Sequence, residues 1–84
     1  MKYEEELLME TIQIMLNSID KVKNFVNDVT KFDSDFDLIS GRYVIDAKSI
    51  MGIFSLDLSK PIQLNAHTDN ADAFLKEIDK FIVK

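Results

Sequence analysis

Apolar residues change their period several times along this chain, and each change marks an element. Ile12, Ile14 and Leu16 alternate with Gln13 and Met15, the two-residue repeat of a strand with one buried face. Leu7-Leu8-Met9 either extend that strand or belong to a separate N-terminal addition, so residues 1–9 are a candidate extension. From Ser18 onward Val22, Phe25, Val26 and Val29 recur at helical spacing, and Phe32 closes the run. Ser18 or Asn17 is the expected N-cap, because a side-chain oxygen there accepts from a free amide of the first turn. Asp20 suits the positive end of the helix dipole.

Asp33-Ser34-Asp35 reads as a turn. Phe36 and Leu38, then Tyr43 and Ile45, alternate as two strands about a Ser40-Gly41-Arg42 hairpin. Ser49 caps a short second helix with Ile50, Ile53 and Phe54 available to one face. Ser59-Lys60-Pro61 breaks the chain, and Ile62, Leu64 and Ala66 alternate as a fourth strand. Thr68-Asp69-Asn70 is a turn and cap, and Ala71 to Val83 reads as a helix with Phe74, Leu75, Ile78 and Ile82 inward.

The order is therefore β-α-β-β-α-β-α. It predicts an α+β open-faced sandwich, a four-stranded antiparallel sheet with three helices on one face. The expected core is Val22, Phe25, Val26, Val29, Leu38, Ile45, Leu56, Leu64, Phe74, Leu75 and Ile78. No linker or repeat divides the 84 residues, which read as a single domain spanning 1–84. A domain this small buries only about 60–65% of its unfolded surface and holds no large enclosed pocket.

Composition removes several functions. There is no cysteine, hence no disulfide framework or thiolate chemistry. No apolar run approaches the roughly 18–20 residues that cross a bilayer. The first residues, Met1-Lys2-Tyr3-Glu4-Glu5-Glu6, are acidic where a secretory signal is basic, so a cytoplasmic protein is expected. A net charge of −5 with ten scattered basic residues argues against nucleic acid, whose phosphates need a basic patch. It favours at most a protein partner with a basic face.

Candidate chemistry is sparse. Ser49 sits where a helix starts, and serine is among the best residues for that N-cap. In so short a helix Ile50, Met51, Ile53 and Phe54 cannot all face inward, so some apolar surface is left for a partner. His67 is the only histidine, and one imidazole with no neighbouring ligand does not make a metal site. Asp33, Asp35 and Asp37 alternate but lack the glycine and terminal glutamate of a calcium loop. Asp20 could carry an acyl phosphate in principle, although an aspartate at a helix start is common for dipole reasons alone. No nucleophilic triad and no phosphate-cradling glycine loop is present. No catalytic residue, metal or cofactor is expected.

Two stretches resemble one family. Thr30-Lys31-Phe32 looks like the Ser-Lys-Phe that ends the first helix in the histidine-containing phosphocarrier (HPr) family of the bacterial sugar phosphotransferase system. Lys48-Ser49-Ile50-Met51-Gly52 resembles that family's regulatory segment, and the spacing between the two fits without a gap. The resemblance runs over residues 10–84 and implies the same open-faced sandwich. It implies that Ser49 is the kinase-modified serine and that Lys48, Ile50, Met51 and Phe54 belong to a partner-docking face. The family's phosphohistidine loop falls on residues 16–21, with Ser18 at the histidine position. Those residues read Leu-Asn-Ser-Ile-Asp-Lys, with no histidine, arginine or proline. The segment after Leu56 is shorter than usual and lacks the glycines common there. The expectation is a non-catalytic HPr-like regulator or adaptor, similar to the catabolite-repression paralogue of HPr. Its implied partners are an HPr-type kinase and either a transcriptional regulator or a phosphotransferase-system component, with no nucleic acid and no membrane. It would be a monomer or a homodimer. The alternatives are a phosphocarrier using another residue, or a degenerate structural domain that works as a dimer.

Overall fold

The computed structural model describes residues 9–83. Leu7 and Leu8, read as a possible continuation of the first strand, lie outside them. The elements are β1 (Met9–Ile14), α1 (Ile19–Val29), β2 (Asp35–Ser40), β3 (Tyr43–Asp46), α2 (Ile50–Phe54), β4 (Ile62–His67) and α3 (Ala71–Glu77), followed by a short 3₁₀ turn at Asp79–Phe81. The four strands form one antiparallel sheet in the order β1-β4-β2-β3. Register follows the alternation of the sequence: Ile12 faces Leu64, Leu38 faces Leu64 from the other side, and Ile45 faces Leu38. These positions form the apolar side of the sheet, which the helices cover.

α1 begins as its residue types dictate. Ser18 is extended and its Oγ accepts from Lys21 N at 3.1 Å, satisfying one of the helix's free amides. Val22, Phe25 and Val29 are fully buried. The hairpin between β2 and β3 turns on Gly41, whose φ of +63° suits glycine at the first central position of a two-residue loop. The core is aromatic at one end. Phe36 stacks on Phe74 with centroids 4.3 Å apart, Phe32 meets Phe74 edge-on at 5.4 Å, and Phe25 meets Phe81 edge-on at 5.5 Å.

Two expectations need correction. Val26, Ile45, Leu56 and Leu75 are half-buried residues packed against the core, not members of its dry centre, which Ile14, Leu16, Phe36, Ala47, Ile53, Ile62 and Phe81 fill instead. The last helix also stops at Glu77 and does not continue to Val83. The chain tightens into the 3₁₀ turn, which buries Phe81, and then extends at Ile82. Ile82 bridges Ile14, and backbone bonds of 2.9 Å run from Met15 N to Phe81 O and from Val83 N to Gln13 O. Pairing with the edge of β1 satisfies backbone groups that a longer helix would have bonded internally.

The side of α1 that faces α3 carries a buried carboxylate. Asp28 lies between Lys80 Nζ at 3.2 Å from Oδ2 and Lys31 Nζ at 3.6 Å from Oδ1, and Lys31 also bonds Glu77 at 2.9 Å. Oδ2 of Asp28 has no hydrogen bond of ordinary geometry and is balanced by charge alone. The Glu77 bond and charge raise the Lys31 ammonium above its ordinary pKa.

Candidate docking site at two helix starts

α2 is placed by a short run of local bonds. Asp46 Oδ1 accepts from Lys48 N at 2.9 Å, and Ser49 N donates to Asp46 O at 3.0 Å. Ser49 is extended, and its Oγ accepts from Gly52 N at 3.2 Å. Gly52 leaves space for this cap, since a Cβ there would lie 3.1 Å from Ser49 Oγ. The serine is exposed, so one hydroxyl serves as a cap while staying within reach of solvent.

The residues expected to form the docking face separate. Ile53 is fully buried and Ile50 half-buried, whereas Met51 is 76% and Phe54 38% exposed. Lys48 is not a free surface cation. Its Nζ donates to Phe32 O at 2.8 Å and lies 5.6 Å from the centroid of the Phe36 ring. It ties the start of α2 to the chain beyond α1.

Beside α2 lies the start of α1, and the two define a shallow groove lined by Asn17, Ser18, Ile19, Phe54, Leu58 and Ser59. Ile19 is 63% exposed. It extends the apolar surface, and sequence reasoning missed it along with Leu58. The signal for Ile19 was a large aliphatic residue directly after the cap, ahead of the buried stripe. Ser59 is held in a turn: its N–H and hydroxyl both donate to Asp57 Oδ1, at 3.1 and 2.6 Å. Those bonds hold the Asp57 carboxyl below its ordinary pKa.

The remaining candidates lie elsewhere. Asp20 is in the first turn of α1, exposed to solvent. Asp33 is in the turn before β2, while Asp35 and Asp37 are on the strand itself. His67 closes β4, with Nε2 3.4 Å from Asp37 Oδ2. β1 enters the groove through the Ile14 end, which pairs with Ile62, so His67 sits at the far end of β4, about 17 Å of strand away. Among the described residues no group of three or more His, Cys, Asp or Glu is arranged to hold a metal. No helix of the described residues is long and apolar enough to cross a membrane.

The class of domain is thus an antiparallel open-faced sandwich with a shallow apolar groove beside two serine-capped helix starts. Residues 21–84 match the family model described as the PTS HPr component phosphorylation site, and the chain belongs to this family of HPr-like phosphotransferase-system proteins. No curated protein sequence matches it. Of the solved structures, HPr-C-His from Thermoanaerobacter tengcongensis is 28% identical with a TM-score of 0.69, covering 87% of this chain and 88% of that one. The phosphocarrier protein HPr from Bacillus anthracis is 22% identical, with a TM-score of 0.68 over 90% and 96%. The catabolite repression containing protein Crh of Bacillus subtilis, described as a domain-swapped dimer, is 23% identical, with a TM-score of 0.60 over 87% and 90%. The last two likenesses are of fold. The family match begins at Lys21 and leaves out residues 16–20.

Proposed function

We infer that this HPr-like protein is a regulatory or adaptor protein, not a histidine phosphocarrier, and that it docks on protein partners through the groove between α1 and α2. The observation that carries this reading is Ser18. It stands where the resemblance puts the phosphohistidine, and its hydroxyl is taken up as the cap of α1, accepting from Lys21 N. The residues around it, Ile19, Phe54 and Leu58, offer apolar contact and no imidazole. His67, at the other end of β4, cannot take over that position without moving a strand. Met51, Phe54 and Ile19 are the contacts, with Ile50 beneath them. Lys48, tied to Phe32 O, sets the position of α2.

Ser49 is the switch in this reading. A phosphate adds about −1.5 to −2 charge at the edge of the apolar patch, beside Ile50 and Met51, and so changes what can dock there without unfolding the domain. The partners are an HPr-type kinase and a phosphotransferase-system component or transcriptional regulator. The fit is to a protein with an apolar contact surface.

The test has two arms, each with an authentic HPr in the same tube. With phosphoenolpyruvate, enzyme I and labelled phosphate, the chain stays unlabelled. Label that survives His67→Ala and vanishes in Asp20→Ala would overturn this and establish an acyl-phosphate carrier. With an HPr-type kinase and ATP, mass spectrometry finds one phosphate on the peptide containing Ser49. An unmodified peptide beside a modified control leaves Ser49 as a helix cap alone.

A further inference from the structure

The two edges of the sheet differ. On β1, Gln13 and Met15 are bonded by the returning C-terminal segment. Along β3, nothing pairs beyond β2 among the described residues. The register shows which of its groups are free. Ser40 faces Tyr43 across a two-residue turn, and Leu38 faces Ile45. In such a hairpin these pairs exchange the ladder bonds, and the alternate residues Val44 and Asp46 turn their amides outward. Sheet edges are ordinarily blunted by lysine, proline or a bulge. Here residues 42–47 read Arg-Tyr-Val-Ile-Asp-Ala, and Tyr43 and Val44 are 65% and 63% exposed.

The charges on this edge are unbalanced. Asp46 lies directly opposite Asp37 on β2, and like charges across a strand pair are unfavourable. Asp35 is two residues along the same face. The imidazole of His67 reaches Asp37. Neither Asp46 nor Arg42 has an ion pair among the described residues.

We propose that the free edge of β3 pairs antiparallel with β3 of a second copy of this chain, about a two-fold axis at Val44. The strand is its own complement in that register. Val44 faces Val44 of the second copy, and their outward N–H and C=O groups bond reciprocally. Arg42 faces Asp46 of the second copy on both sides of the axis, supplying the cation that Asp46 lacks. Val44 and Asp46 alternate with Tyr43 and Ile45 on β3, and Arg42 is the turn residue directly before the strand, so the two ion pairs flank the valine contact from its ends. A slip by one residue turns the bonding groups of one strand away from the other. A slip by two loses both Arg42–Asp46 pairs: in one direction Val44 meets Asp46, and in the other Val44 meets Arg42 and Asp46 meets Ser40. A second copy fits better than an unrelated strand because Arg42 and Asp46 are equally spaced about Val44. Every strand stays in its own protomer, unlike a domain swap. The contact is small and belongs with weak, transient interfaces below about 1,200 Å².

The experiment is sedimentation velocity on the full chain from about 10 μM to about 1 mM, the range in which weak interfaces associate, with amide spectra recorded over the same series. The expected result is reversible dimerisation, with concentration-dependent shifts centred on residues 42–46. Val44→Lys, an exposed position, keeps the circular dichroism spectrum and abolishes the dimer. Arg42→Glu and Asp46→Arg each weaken self-association about tenfold, as loss and reversal of two exposed ion pairs requires, and an equimolar mixture of the two restores it. A chain still monomeric at the highest concentration would overturn the proposal. So would a dimer that survives Val44→Lys, a mixture no tighter than its components, or a slowly exchanging swapped dimer.

Discussion

Replacing Gly52 by alanine, alone and combined with Ser49→Ala, separates two effects of opposite sign at the start of α2. In a helix interior, glycine to alanine gains up to about 1 kcal/mol of propensity. At Gly52 the new Cβ would lie 3.1 Å from Ser49 Oγ, 3.4 Å from Ile45 Cδ1 and 3.5 Å from Ser49 Cβ. Only the first contact is tight, and relieving it moves the hydroxyl by a few tenths of an ångström. The cap bond to Gly52 N is already 3.2 Å, near the long limit for an N–H···O bond, so the shift breaks it. Losing an N-cap costs typically about 1 kcal/mol. The two terms offset one another, and Gly52→Ala is expected to change stability by less than about 0.5 kcal/mol. With alanine at position 49 the tight contact is gone and the cap already lost. There Gly52→Ala should stabilise by about 0.5–1 kcal/mol. The coupling in the double-mutant cycle is then on the order of 1 kcal/mol, or a difference of about 4–8 °C in midpoint for a domain of this size. The assay is thermal and urea unfolding followed by circular dichroism. Equal gains in both backgrounds would show that Ser49 Oγ is not held over Gly52, and would remove the cap from the account of this site.

Three further outcomes are expected. Phe25→Ala, at a fully buried position touching Phe81, should cost about 3–5 kcal/mol in urea unfolding, and a loss under about 1 kcal/mol would contradict the packing of α1. Lys48→Met leaves Phe32 O without its side-chain donor and should cost about 1–2 kcal/mol in urea unfolding; a lost partner with unchanged stability would make Lys48 a contact residue instead. Because Glu77 raises the Lys31 pKa above 10.5, the pair's contribution is complete below the unfolded-state pKa and disappears as pH rises through the folded value. The fall in stability at alkaline pH should therefore be shallower in Lys31→Gln.

The parts of the fold legible in the sequence are those set by neighbours along the chain. α1 announces itself through Ser18, Asp20 and the spacing of Val22, Phe25 and Val29, all interactions within a few residues. The hairpin needs Gly41 at positive φ, and the sequence supplies it between two alternating runs. The end of α3 was not legible, for a physical reason. Ile78 and Ile82 keep helical spacing, so their pattern alone extends the helix. What ends it is the backbone of Gln13 and Met15 at the other end of the chain, together with a better seat for Phe81. Half-burial of Ile45, Leu56 and Leu75 depends on where the helical layer ends, which periodicity does not report. Lys48 is similar: only the folded chain brings Phe32 O within 2.8 Å of its ammonium.

At the site, the two serines were legible as caps and the groove between them was not, because Ile19, Phe54 and Leu58 meet only through tertiary packing. The structure adds a distinction between the serines. Both hydroxyls accept from an amide three residues on, at 3.1 Å for Ser18 and 3.2 Å for Ser49. The first turn of α1 already holds an anion, Asp20, whereas the first turn of α2 holds none. Asp46 precedes Ser49, but one of its oxygens is turned onto Lys48 N. Because charges near a helix start act within the first turn, a phosphate at Ser18 would face a carboxylate on its own helix, and one at Ser49 would not. On this ground an added phosphate is better placed at the start of α2 than at the start of α1, which already carries Asp20. A kinase-treated sample should carry phosphate at Ser49 and none at Ser18, and peptide mapping that finds Ser18 modified first would reverse the roles assigned to the two helices.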